Sequence, residues 1–448
     1  MIPVYKLGQM SDADRARILC RAQTDVLSAR KKAQEIISNV RKRGDEALVA
    51  CTRKWDDPDF TKDKLIITKK DIEQAYANVS GDTLKKIRGQ IRLSKRFHLA
   101  QKKNILSWEE EISPGITAGE KWTPRPSAGL YIPGGKNPFP TVMQILAVPA
   151  KIAGCPRIAA CISPKGRVDE VIVTANECGI CELYRIGGAQ AIAALAYGTE
   201  SIPPVELIAG PGSPVVTAAK ILCQERRVID MPAGPSEAII LADRTLPSGI
   251  SLRKKASWCA ADILARAEHG PDSAGVLVTD SEELAFLVKN EILRQYKECL
   301  RKDYINSALA TYSAIIITST MEEAITFINN YAPEHLEILT ETPRKILREI
   351  TNAGSVFLGM TNPVAAGDYA SGINHILPTG GWARRASPVG VWTFMKRVQY
   401  SEVSRKGLKT LRPIVETLSE IEGLDAHKKS VLIRFRSQAD RANGGTNP

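Results

Sequence analysis

The chain has 448 residues, 44% of them hydrophobic and 25% charged, with a formal net charge of +12. That length suits two to three domains with sizeable cores, and the ordinary composition argues against a disordered or fibrous protein. No apolar run is long enough to span a bilayer, and nine scattered cysteines, an odd number, argue against a disulfide framework.

The opening stretch, MIPVYKLGQMSDADRARI, lacks the charged-then-apolar plan of a secretion signal, so a cytoplasmic protein is the expectation. Residues 1 to about 115 read as mostly helical. ARKKAQEIISNVRKRGDEALVACTRKW and KKDIEQAYANV place apolar residues at three- and four-residue spacing under charged outer faces, which suits packing rather than chemistry. His98 lies in the basic run KKIRGQIRLSKRFHLAQKK and reads as a surface or partly buried side chain. The basic residues are spread through such helices without interleaved aromatics. A positive field that attracts anionic cofactors and substrates therefore explains the charge as well as nucleic acid does.

From about 120 short apolar strands alternate with helices: AGLYI, RIAACIS, ELYRIG and VELIAG form one series, and EAIILAD, AGVLVTD, AIIITST, LEILT and GSVFLG a second. Repeated strand–helix–strand units with β-branched strands argue for parallel sheets covered on both faces. Two successive series predict two open sheets with a cleft between them, the ligand lying at the carboxyl ends of the strands. The one CxxC, Cys178 to Cys181, has no second pair and reads as incidental thiols. After about 385 the alternation stops and the segment through 433 reads as helical, with ETLSEIEGLDAHKKSVLIR amphipathic and the tail RSQADRANGGTNP polar. Such an appendage has too little apolar surface for its own core and suits docking on another subunit.

Three glycine-rich turns follow strands: IPGG at 132–135, the pair at 187–188, and GPGSP at 210–214. A glycine turn opening a helix presents bare N–H groups to phosphate. None completes G-x-G-x-x-G, so each alone is a turn, while three in one series make a dinucleotide plausible. In MPAGPSEAII, Ser236 and Glu237 sit at a strand start where they could face the cleft.

Of five histidines, four occupy short polar settings: His269 in AEHG, His335 in APEHLE, His375 in INHILP and His427 in GLDAHK. The run GDYASGINHILPTGG, 367–381, gathers Asp368, Tyr369, Asn374 and His375 among glycines and reads as a site-lining loop. Arg266 lies three residues before His269 on the same helical face. Glu334 beside His335 supplies a proton acceptor and its partner, although alone the pair would read as a solvated turn. Together with Asp368, His375 and His427 the set holds enough N and O ligands for zinc.

The strings AGLYIPGG, GGAQAIAALAYGT, IDMPAGPSE, AEHGPDS, YAPEHLE, GDYASGINHILPTGG and EGLDAHK, in this order, resemble the histidinol dehydrogenase family across about 1–435. The resemblance implies a zinc-dependent homodimer that oxidises an amino alcohol to the amino acid in two NAD-linked hydride transfers. It also implies an α/β fold of two incomplete Rossmann-like domains. On that reading 1–115 is a helical segment packing on the core, 116–236 the NAD side, 237–384 the Glu–His side, and 385–448 a tail reaching the partner subunit. Carried over, Glu334 activates water for the second oxidation and His335 is the general base. His269, Asp368 and the partner's His427 hold zinc, Ser236, His375 and Glu422 contact substrate, and Tyr131 and Gln190 contact the dinucleotide.

Three positions depart from the family pattern. Arg266 stands where the family has a glutamine zinc ligand, and a guanidinium has no lone pair for a cation. It would oppose Zn²⁺ by several kcal/mol if both were desolvated nearby, at an effective dielectric of about 20. Val364 replaces a substrate-facing glutamate, and Ser213 replaces a cofactor-contacting asparagine. The first two changes shift the pocket by about +2, with Arg266 itself facing substrate. They open an alternative: a paralogous NAD-dependent alcohol dehydrogenase for an anionic hydroxy compound such as a hydroxy sulfonate, in which zinc either keeps three protein ligands and water or is absent, the guanidinium replacing its charge.

Overall fold

The computed structural model describes residues 2–21, 26–134, 137–232 and 234–435, so Gly135 of the first glycine turn and the tail from 436 lie outside the described residues. The chain forms two compact units: the residues up to Lys102 with Pro124–Phe394, and Lys103–Thr123 with the chain from Met395 onward.

The larger unit holds two parallel sheets, as the strand–helix alternation predicts. The first has five strands in the order Glu182–Arg185, Arg157–Ile162, Ser127–Ile132, Leu207–Ala209, Val228–Ile229. The second has six: Val4–Lys6, Ala314–Ile317, Ala274–Thr279, Glu237–Ala242, His335–Leu339, Ser355–Leu358. Ser127–Ile132, Glu237–Ala242, Ala274–Thr279 and His335–Leu339 bury every residue. Parallel strands covered on both faces read this way, as near-continuous apolar runs. The charged residues Glu237, His335 and Glu337 interrupt those runs, and burial of a charge without a partner is costly. These interruptions mark the site.

On the first sheet the long helix Val26–Trp55 packs against Gly188–Tyr197 and Pro214–Cys223. Ile36, Ile37, Val40, Leu48, Leu195 and Val216 are among the residues of that core. Leu252–Ala267 and Glu282–Tyr296 cover the second sheet, with Ile263, Leu277, Val288 and Ile315 in one cluster.

Three local expectations are corrected. Val4–Lys6, inside the segment read as helical, is an edge strand paired in parallel with Ile315–Ile317, too short to show a period of its own. His98 is fully buried in the helix Gly81–Lys103 rather than at the surface. The segment after 385 is not all helix: Met395–Val403 is a strand, joining Ile116–Pro124 and Trp108–Ser113 in the three-stranded sheet of the smaller unit. The helices Arg405–Ile421 and Asp425–Leu432 follow it. All nine cysteines are free, Cys178 buried and Cys181 exposed. Among the described residues no helix is long and apolar enough to cross a membrane.

Candidate active site

A cavity of about 270 Å³ within the larger unit is lined by Ser236, Arg266, His269, Glu334, His335, Asp368 and His375, with Phe139, Val142 and Leu377 among its apolar walls. Pro133 and Pro211, which follow strands of the first sheet, line the same cavity. Ser236, Glu334 and His335 instead stand at the amino ends of strands in the second sheet. The expectation of carboxyl ends therefore holds for one sheet and fails for the other. Each sheet obeys strong local rules, but which of its ends meets the neighbouring sheet is a matter of packing.

Glu334 is fixed from below. The Glu237 N–H donates to Glu334 Oε2 at 2.9 Å, and the Glu334 N–H donates back to Glu237 Oε1 at 3.1 Å. Glu237 is 2% exposed and does not face the cleft as expected; it takes a two-pronged ion pair from Arg21. Arg21 also donates to the carbonyl of Tyr331 at 2.9 Å and lies 3.7 Å over that tyrosine's ring. No local pattern singled out Arg21, because Glu237 and Tyr331 lie more than two hundred residues away.

His335 begins the strand paired with Glu237–Ala242. Its Nδ1 is 3.1 Å from the Glu237 carbonyl, which takes the Nδ1 proton, and 3.3 Å from Glu334 Oε2. The Nε2 faces Asp368 Oδ1 at 3.4 Å, and the ring stacks on Phe357 at 5.9 Å. Burial works against the imidazolium, but the charge of Glu334, helped by Asp368, raises the pKa to about 9. Asp368, on the short helix Val364–Tyr369, also accepts from Arg266 Nη2 at 3.2 Å. Burial would lift its carboxyl, yet the His335 hydrogen bond and the Arg266 charge hold it far below the usual carboxylate range.

His375 is half-buried, and its Nδ1 has no hydrogen-bond partner among the described residues. Burial pushes it down to about 4 against the pull of Asp368, so it is neutral near pH 7 and free to meet a ligand. Asn374 braces the loop instead of facing the cavity, donating to the Ile145 carbonyl at 3.0 Å and accepting from the Ile376 N–H at 2.8 Å. His269 stands exposed at the cavity wall. Val364 is buried against Ala238 and Phe357, with no carboxylate in its place.

Tyr131, Gln190 and Ser213 do not line this cavity. Tyr131 lies near the carboxyl end of the strand Ser127–Ile132, Gln190 in the first turn of Gly188–Tyr197, and Ser213 at the N-cap of Pro214–Cys223. The Tyr131 hydroxyl accepts from the Gly188 N–H at 3.1 Å, and the buried Gln190 leaves Oε1 without a partner. Ser213 is exposed at the start of Pro214–Cys223. A Cβ on Gly134 or Gly187 would come within 2.8 Å of Ser163, so these turns approach one another through bare backbone. Glu422 and His427 belong to the smaller unit and are exposed there.

The family model described as histidinol dehydrogenase matches residues 19–435. A curated histidinol dehydrogenase of Methanothermobacter thermautotrophicus is 42% identical over 419 residues, covering 93% of this chain and 96% of its own length. One from Vibrio vulnificus is 42% identical over 429 residues, with 95% and 96% covered. Among solved structures, the crystal structure of histidinol dehydrogenase from Elizabethkingia anophelis superposes with a TM-score of 0.89 at 34% identity, covering 97% of this chain and 98% of that one. None of these relatives is named for an anionic alcohol.

Proposed function

The chain belongs to the histidinol dehydrogenase family, and on that premise we propose that it oxidises L-histidinol through the aldehyde to L-histidine with NAD, in histidine biosynthesis. The observation that carries this reading is the meeting of the adjacent Glu334 and His335 with Asp368 at one cavity wall, from two separate stretches of chain. We place the enzyme in the cytoplasm.

His335 Nε2 is the group to take the proton of the substrate hydroxyl, while the Glu237 carbonyl, accepting from Nδ1–H, orients the ring. Its raised pKa makes it a stronger acceptor once deprotonated, at some cost in the fraction free at neutral pH. Glu334, its Oε2 tied to the Glu237 amide, is positioned to activate the water that enters at the aldehyde stage. His375, neutral and with a bare Nδ1, and Ser236 are the polar contacts for substrate.

The family is NAD-dependent and zinc-binding. The first sheet's turns fit a dinucleotide: bare glycine backbone, the start of Gly188–Tyr197 and the unpartnered Gln190 Oε1 lie together, and Tyr131, Gln190 and Ser213 would hold it. NAD held there would supply the hydride acceptor. On this reading 116–236 is the dinucleotide side, 237–384 the Glu–His side, 1–115 the packing segment and 385–448 the subunit-bridging tail. The surroundings of Asp368 do not suit zinc, because Arg266 donates to its Oδ2 at 3.2 Å and sets a fixed positive charge beside it.

Purified protein given L-histidinol and NAD is expected to form two NADH for each histidine. Glu334→Gln is expected to retain the first hydride transfer and lose most of the second, leaving one NADH per substrate in a single turnover. His335→Asn is expected to slow both by about 10²–10⁴-fold. Absence of NADH with histidinol would refute the substrate assignment.

A further inference from the structure

We propose that this centre works without a bound metal ion, the Arg266 guanidinium being the fixed positive charge that meets the reacting oxygen of the substrate. The inference rests on the oxidation proposed above and adds to it the identity of the electrophile.

Zinc takes lone pairs from N, O or S at about 2.0–2.3 Å, usually four of them. Position 266, where the family resemblance puts one of those ligands, carries a side chain with five N–H donors and no acceptor. Asp368 Oδ2 accepts from Arg266 Nη2 at 3.2 Å, and Oδ1 lies 3.4 Å from His335 Nε2. A cation entering beside Asp368 would have to displace the guanidinium and then sit next to it.

The guanidinium is itself built into the cavity. Arg266 is only 4% exposed, lines the cavity, and leaves Nε without an acceptor among the described residues. A buried N–H lacking a partner is costly, and an oxygen of a ligand in the cavity would satisfy it. Asp368 fixes the direction of the fork from one side, which an exposed arginine would not have. In the first oxidation the substrate O–H bond breaks with its proton passing to His335. The carbinol C–H bond breaks with its electron pair leaving as hydride to NAD, and a carbonyl remains. Negative charge grows on the oxygen during that step, and a pre-oriented cation lowers its energy.

The test uses the full-length chain, purified without chelator, incubated with zinc chloride and desalted. Metal is counted by elemental analysis, beside thermal unfolding with and without zinc. The expected result is far less than one zinc per chain, no shift of the unfolding midpoint, and turnover of histidinol unchanged by EDTA. Arg266→Gln, which restores a carbonyl donor, is expected to take up zinc and shift its midpoint. Kept metal-free, it should lose about 10²–10³-fold in kcat, with Arg266→Lys intermediate. Stoichiometric zinc in the native chain, with activity lost on its removal, overturns the proposal. So does an Arg266→Gln variant that keeps native kcat while metal-free. Metal content and unfolding need no substrate, so a wrong substrate assignment leaves those readings intact.

Discussion

Arg21 and Glu237 form a buried ion pair whose carboxylate also receives the Glu334 amide, so one guanidinium supports the backbone at the Glu–His pair. Removing one partner of a buried pair strands the other charge, at a cost of about 3–5 kcal/mol. Arg21→Met is therefore expected to lower the urea midpoint substantially, while a double change with Glu237→Gln recovers part of the loss. His98 makes a second residue-scale prediction. Its Nδ1 donates to the Ser94 carbonyl at 2.8 Å, and burial pushes its pKa down to about 4 despite that bond. Unfolded, it titrates near 6.5. As pH falls below about 6.5 the unfolded chain takes up a proton that the folded chain refuses, so stability drops through that window and the loss is complete near pH 4. The full effect is on the order of 3 kcal/mol at about 1.4 kcal/mol per unit. Urea midpoints at pH 7 and pH 5 should fall further for the native chain than for His98→Leu; equal falls would show that His98 does not carry it.

The turn after Leu207–Ala209 shows what an element boundary can demand. Gly210 has φ +136, its N–H donates to Asp230 and its carbonyl accepts from the buried Lys220 Nζ at 2.8 Å. A Cβ there would lie 2.1 Å from the Tyr131 carbonyl oxygen, which belongs to the backbone and cannot swing aside. Gly210→Ala is expected to cost about 2–4 kcal/mol and to raise KM for NAD more than KM for histidinol, measured by denaturation and steady-state kinetics. The buried strands were legible as apolar runs because both faces are covered. Met395–Val403 was not, because eight of its nine residues are exposed and no buried face imposes an alternating pattern.

For the whole molecule, the outer helix Arg405–Ile421 leaves Ile414, Leu418 and Ile421 exposed at 54%, 52% and 76%, a stripe at helical spacing. Such a face is one that the proposed subunit-bridging role would bury. Leu418→Glu with Ile421→Glu is expected to shift the sedimentation of the native protein toward monomer. If activity needs Glu422 and His427 from the partner, it should fall with dilution in parallel. A mass and activity unmoved by both changes would count against the bridging role.

From residue order alone came the α/β class, the two strand series, the family resemblance and most of the cavity's polar side chains. Those features are local: strand and helix periods, glycine turns and short motifs express backbone preference and burial within a few residues. Only the packed molecule decided that the second sheet offers the amino ends of its strands, that Glu237 turns away from the cavity to Arg21, and that Arg266 rather than an open ligand position meets Asp368. Each of these joins stretches distant along the chain. No nearest-neighbour preference encodes such a pairing; it follows from how the sheets stack and which buried charges can find a partner.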